Sequence, residues 1–190
     1  TISVSTAAAS ISPANIATRY RLLETIREYA RERLDQSGEG TALQDRHLEF
    51  YVMMAEDIAP ELEHIQQQLL LDRLELEIDN IRAGLDWGMA SDHMLNAMRL
   101  VSALRRFWFI RNHHSEGVDR LKAILGSQQA NQPTLARLRV LNTYLFMLWP
   151  SDQLAEVRHI GEEAVELGRS LGDRWNTAFA MLWLGVGISS

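Results

Sequence analysis

Asp72-Arg-Leu-Glu-Leu-Glu-Ile-Asp-Asn-Ile-Arg-Ala-Gly-Leu-Asp-Trp87 is the stretch around which the chain is organised. With Leu71 added in front, its apolar positions are Leu71, Leu74, Ile78, Ile81, Leu85 and then Trp87 or Met89. Steps of three and four put them on one face of a helix, while Arg73, Glu75, Asp79 and Arg82 face elsewhere. The spacing predicts one central helix running to about Met89, joining helical segments of irregular length before it to a repeating array after it. Asn80 lies just off the apolar stripe and is expected to hydrogen-bond a neighbouring segment.

Working outward toward the N-terminus, Thr41–Ile58 reads as a helix with Leu43, His47, Leu48, Phe50, Tyr51, Met54 and Ala55 broadly on one side. Pro60 suits a turn or the first turn of the next segment. Arg19–Leu34 carries a second stripe, Leu22, Leu23, Ile26, Tyr29, Ala30 and Leu34, and Gly38 stops that helix. Arg19–Leu23 has a short strand as its alternative. Glu24 with Arg27, and Glu28 with Arg31, are spaced for surface ion pairs. Thr1–Thr18, rich in Ser, Thr and Ala, reads as a flexible tail or loop.

Toward the C-terminus the chain repeats. Leu104, Tyr144 and Leu184 stand at a spacing of 40 residues, and at the same offset Val101 matches Leu141 and Met181, and Trp108 matches Leu148. Gly117 pairs likewise with Val157, Ile124 with Ala164, and Leu125 with Val165. Each unit reads as two helices: Asn96–Ile110 with Glu116–Leu125, then Thr134–Leu148 with Gln153–Leu171, then a third unit opening at Trp175. Units that cannot bury their own apolar face stack on their neighbours. The expectation is an all-α, right-handed array of antiparallel helical hairpins, an α-solenoid. Its organisation is 1–18 tail, 19–90 linking helices, and 91–190 repeats, truncated at the C-terminus.

The bulk numbers narrow the function. The chain has 190 residues, 46% hydrophobic and 23% charged, the balance of a folded protein with a real core. There is no Cys, which excludes disulfides, thiol nucleophiles and Cys-based zinc sites and fits a cytoplasmic location. A net charge of −6 gives no footprint for the DNA backbone over the whole surface, so direct nucleic-acid binding is not expected. The longest apolar run, Ala178–Ile188, falls short of the roughly 20 residues a membrane helix needs, so no membrane partner is expected.

Two stretches resemble one family. Arg19-Tyr-Arg-Leu-Leu-Glu-Thr-Ile-Arg-Glu-Tyr-Ala-Arg-Glu-Arg-Leu34 resembles the segment that closes the winged-helix part of bacterial STAND-type (NB-ARC-like) regulatory ATPases, which include LuxR-type and antibiotic-regulator-type transcription factors. Leu74-Glu-Leu-Glu-Ile-Asp-Asn-Ile-Arg-Ala-Gly-Leu85 resembles the stretch that opens their tetratricopeptide-like sensor region. The resemblance implies a winged-helix remnant within 19–90 and a sensor array after it. It also implies an ATPase domain ahead and a separate DNA-binding domain. Gly185 fits the small-residue position of the tetratricopeptide pattern, whereas Arg105 and Leu145 depart from it, and Gly161 replaces a bulky residue. None of the family's nucleotide-binding residues carries over: there is no Gly-x-x-x-x-Gly-Lys-Ser/Thr, and Lys122 sits at an ordinary helix end. Neither cofactor nor enzymatic activity is expected of this chain, and the partner is a protein or small-molecule effector.

Taking the first helix of each hairpin as the inner face, the candidate groove carries Arg99, Ser102, Arg106 and Phe109 in one unit, and Arg139, Asn142, Phe146 and Trp149 in the next. Guanidinium groups with aromatic rings beside them suit a carboxylate or an acidic peptide. The competing reading makes the rings core and lets the Arg heads reach water, and all five Trp residues are read most simply as core. Trp175, Phe179, Leu182, Trp183 and Val186, on an apolar last helix without its partner, are expected to support self-association into a homo-oligomer. His113-His114-Ser115-Glu116 reads as an inter-helix turn with Ser115 as cap, not as a metal site. No catalytic residue is assigned: Glu61/Glu63, Glu75/Glu77 and Glu162/Glu163 are too close along a helix to face each other.

Overall fold

In the computed structural model, which describes residues 24–63, 67–149 and 153–189, those residues form helices and turns with no strand. The helices are α1 (Glu24–Ser37), α2 (Gly40–Ile58), α3 (Gln67–Leu76), α4 (Ile78–Ala90), α5 (Met94–Ala103), α6 (Arg105–Ile110), α7 (His114–Leu125), α8 (Leu135–Leu148), α9 (Leu154–Ser170) and α10 (Arg174–Ser189). Short 3₁₀ turns lie at Pro60–Glu63 and Gln128–Ala130. The all-α array therefore stands. The Thr1–Thr18 tail, the strand alternative at Arg19–Leu23, and the ion pairs of Glu24 with Arg27 and Glu28 with Arg31 lie outside the described residues and side chains.

Two rows of helices build the array. α2, α5, α8 and α10 stack in sequence as one row. α4 packs on α2 and α5, α7 on α5 and α8, and α9 on α8 and α10, forming the second row. The core runs between the rows. Leu48, Val52 and Ala55 of α2, Ile81 and Leu85 of α4, Leu100 and Val101 of α5, and Leu138 and Leu141 of α8 are all buried. Within α2, α4 and α8 their spacings of three, four and seven are the physical reason these segments are helices with one committed face.

The 40-residue offset is visible as equal burial. Leu104 and Tyr144 are buried, as are Val101 and Leu141, Trp108 and Leu148, Gly117 and Val157, and Ile124 and Ala164. The third unit breaks the equivalence, since Met181 is 43% exposed.

Two helices expected to be continuous are broken. The central helix divides at Glu77, whose N–H donates to Leu74 O, three residues back, at 3.0 Å. A three-residue return tightens the chain and redirects the axis. The Glu77 carboxylate is engaged there, accepting from Tyr51 Oη and from Asn80 Nδ2, each at 2.7 Å. Asn80 is buried, as its place beside the stripe implied, and through Glu77 it is linked to Tyr51 of α2. The first helix of the first repeat divides at Leu104, and the Trp108 indole N–H donates to Val101 O at 3.2 Å beside that break.

Other endings follow local chemistry. Gly38 and Gly172 have φ of +71° and +68°, the left-handed region that closes a helix at little cost only for glycine. Thr134 caps α8, its Oγ1 accepting from Arg137 N at 3.2 Å. Ser115 does not cap α7: the helix already begins at His114, with His113 in the cap position and no side-chain cap bond. The α1 stripe is not a core face either. Ile26 and Tyr29 are 48% and 56% exposed, and among the described residues α1 packs on α2 at the start of the array.

Candidate functional site

A groove of about 500 Å³ opens on the α2–α5–α8–α10 row. Five of the eight expected groove residues line it: Arg99, Ser102, Arg106, Arg139 and Asn142. The other three, Phe109, Phe146 and Trp149, lie beside it in a run of rings. Phe109 and Phe146 have centroids 5.1 Å apart, Phe146 and Trp183 5.1 Å, Trp149 and Trp183 5.7 Å, and Phe179 and Trp183 6.0 Å. Phe109, Phe146 and Trp183 pack against the core, so for them the core reading is right. It fails for Trp149 and Trp175, which are 48% and 78% exposed.

The arginine heads do more than reach water. Arg99 grips Glu56, with Nε to Oε1 at 2.9 Å and Nη2 to Oε2 at 2.6 Å. That two-point bond raises the guanidinium pKa above its ordinary value, against burial. Arg106 meets Glu63 at 3.0 Å and donates to Leu62 O at 3.3 Å. Both glutamates come from segments some forty residues upstream in sequence, so their role was invisible in the spacing of the repeats.

Arg105 is the residue that sequence reasoning missed. Its guanidinium carbon stands 5.3 Å from the Phe146 ring and 4.8 Å from the Phe179 ring, and Glu63 is 3.9 Å away. Burial pushes its pKa below the ordinary arginine value, outweighing the pull of Glu63. The available signal was its departure from the small-residue position of the repeat. Asn142 is 2% exposed at the groove floor. Its Nδ2 donates to Asn176 O at 3.0 Å and to Asn176 Oδ1 at 3.2 Å, while its Oδ1 has no donor; Ser102 Oγ is also without a partner. In total four arginines face two glutamates among the lining residues, leaving the groove positive on an acidic chain.

The histidines of the α6–α7 turn are tied elsewhere. His113 Nε2 lies 3.0 Å from Glu75 Oε1, and His114 Nε2 lies 2.8 Å from Met147 O. Among the described residues no three His, Cys, Asp or Glu side chains converge. Of the α10 residues expected to self-associate, Trp175 and Leu182 are exposed, whereas Phe179, Trp183 and Val186 are half-buried. Among the described residues no helix is long and apolar enough to cross a membrane.

The chain is similar to proteins named as HTH-type transcriptional regulators in Mycobacterium bovis and in two strains of Mycobacterium tuberculosis. It is 31% identical to each over 215 aligned positions, covering 90% of this chain and 24% of the relative. The chain therefore spans about a quarter of the length of the curated relatives it matches. No family model and no solved structure matches it.

Proposed function

We propose that this chain is the non-catalytic sensor and interaction region of a multidomain bacterial transcriptional regulator of STAND type, cytoplasmic and built as a tetratricopeptide-like array. The observation that carries this reading is the likeness to the mycobacterial regulators across nine-tenths of the chain. The groove supports it: arginines, amides and rings on a stacked helical row suit recognition of an effector. Its carboxylates are bound to arginines rather than set against a nucleophile, which favours binding over chemistry. With a net charge of −6, contact with DNA falls to a separate domain.

The test is genetic. The reading frame flanking these residues is expected to encode a phosphate-binding Gly-rich loop ending in Lys-Ser/Thr, winged-helix segments and a DNA-binding domain. Deleting the codons for 91–190 is expected to change transcription of a defined set of genes. A frame without those parts, together with an unchanged transcriptome, overturns the reading in favour of a free-standing helical-repeat adaptor.

A further inference from the structure

The groove floor presents chemistry that the fold leaves open. Asn142 Oδ1 is an acceptor, and the two bonds from its Nδ2 to Asn176 fix which way the amide points, so its missing partner is an N–H or O–H donor. Ser102 Oγ, on the neighbouring helix of the same row, has the same lack. A buried polar atom without a partner is costly and rare in a native fold. Of the four such atoms found among the described residues, the others being His47 Nε2 and Trp183 Nε1, these two line one groove.

The charges around them are arranged in the same sense. Arg105 is held between the Phe146 and Phe179 rings, and its nearest carboxylate among the described residues, Glu63, is 3.9 Å away and already engaged by Arg106 at 3.0 Å. Arg139, exposed on α8, lines the groove and its charge reaches Asp173, one of whose carboxylate oxygens already accepts from Asn176 N–H at 2.9 Å. Arg99 and Arg106 are answered by Glu56 and Glu63 of the chain itself. What stays open is one cluster, not the series of positive sites that an extended acidic peptide would need. A volume of about 500 Å³ is that of a small-molecule site.

We propose that the groove binds a small organic acid with an N–H or O–H donor next to its carboxylate, an amino or hydroxy acid. The carboxylate pairs with Arg105 and Arg139, the donor goes to Asn142 Oδ1, and Ser102 Oγ supplies the remaining hydrogen bond. Trp175, at the rim, reports occupancy. This names the effector class of the proposed sensor and rests on that reading only for what binding does afterwards.

The test titrates the full chain, in phosphate-free buffer, with a panel of short amino and hydroxy acids that includes L-glutamate and L-malate. Succinate serves as the acid without a donor, and an oligoglutamate peptide as the extended alternative. Tryptophan fluorescence and thermal shift are the readouts. At least one amino or hydroxy acid is expected to saturate the signal and to bind about tenfold tighter than succinate. Arg139→Gln is expected to weaken it about tenfold and Ser102→Ala about fivefold, with unfolding curves of the free chain unchanged. Arg105→Gln removes a packed side chain, so Arg139→Gln and Ser102→Ala, which do not, decide the matter. The proposal is overturned by no saturation at about 10 mM of any small acid, by affinity unchanged in both variants, by succinate binding as well as the tightest amino or hydroxy acid, or by saturation with the peptide alone. Binding is measured without transcription: a groove that binds while the transcriptome ignores it removes the regulator reading alone, and the reverse removes this inference alone.

Discussion

Arg82 on α4 and Glu116 on α7 are joined by a two-point ion pair, with Nε 2.9 Å from Oε1 and Nη2 2.6 Å from Oε2. Glu116 also accepts from Arg120 Nε at 3.1 Å, and Arg120 reaches Asp86 at 2.8 Å. This network ties consecutive helices of the second row along their outer edge. Glu116→Gln keeps the shape and removes the charge. It is expected to destabilise the chain by about 1–2 kcal/mol, read from urea unfolding, a modest value because the partners are partly exposed.

Acid should weaken the fold through two groups. The hydrogen bond from Arg82 holds the Glu116 carboxyl below its ordinary 4.5. Its contribution is present above that value and is lost as the pH falls through the lower, folded-state value. Burial holds the His47 imidazole below its ordinary 6.5, against the pull of Glu77. The unfolded chain then takes up a proton that the folded chain refuses, so stability declines as pH drops below about 6.5. Melting temperature is expected to fall in two stages between neutral and strongly acid pH, with the upper stage absent in His47→Gln.

Two helical glycines, one in each row, should respond in opposite directions. A Cβ on Gly117 would meet Trp108 Cβ and Cγ at 2.9 Å, and Trp108 is fully buried. Gly117→Ala is expected to cost about 1–3 kcal/mol through overpacking. A Cβ on Gly185 meets nothing within 4 Å. Gly185→Ala is expected to stabilise α10 by roughly 0.5–1 kcal/mol, since alanine loses less backbone entropy in a helix. Thermal melts of the two variants check both signs at once.

Leu85 has no exposed surface and closes the α2–α4–α5 core. Leu85→Ala is expected to cost about 2–5 kcal/mol, measured by denaturant unfolding. A smaller value would mean that the neighbours collapse into the space.

Concentrating the chain is expected to drive association through α10, where Trp175, Met181 and Leu182 stand exposed. Sedimentation velocity should show the shift, and Trp175→Ser with Leu182→Ser should abolish it. A monomer at every concentration would remove the expectation for Trp175, Phe179, Leu182, Trp183 and Val186 together.

Much of the fold was legible because helical periodicity is a local property. The stripe Leu71, Leu74, Ile81 and Leu85 is buried as its spacing required, and the offset linking Leu104 to Tyr144 survives as equal burial. The breaks at Glu77 and Leu104 were not legible. Both fall inside unbroken apolar stripes, and they become visible only with the Tyr51–Glu77 and Trp108–Val101 hydrogen bonds in place. Of the site, Arg99, Ser102, Arg106, Arg139 and Asn142 followed from one helix face, but Arg105 did not, because a residue at a small-side-chain position is not expected to carry a charge into a groove.

Helical character from residue 24 onward, the placing of the apolar faces and the 40-residue recurrence of the units can all be read from residue order. Each of these rests on contacts within one or two turns, whose geometry the backbone sets. It takes the packed helices to show that Glu56 and Glu63 answer Arg99 and Arg106, that two aromatic rings hold Arg105, and that Asn142 Oδ1 and Ser102 Oγ are left open. Those relations join segments some forty to seventy residues apart in sequence. Charge pairing and polar satisfaction depend on where packing brings the side chains, and no local spacing records that.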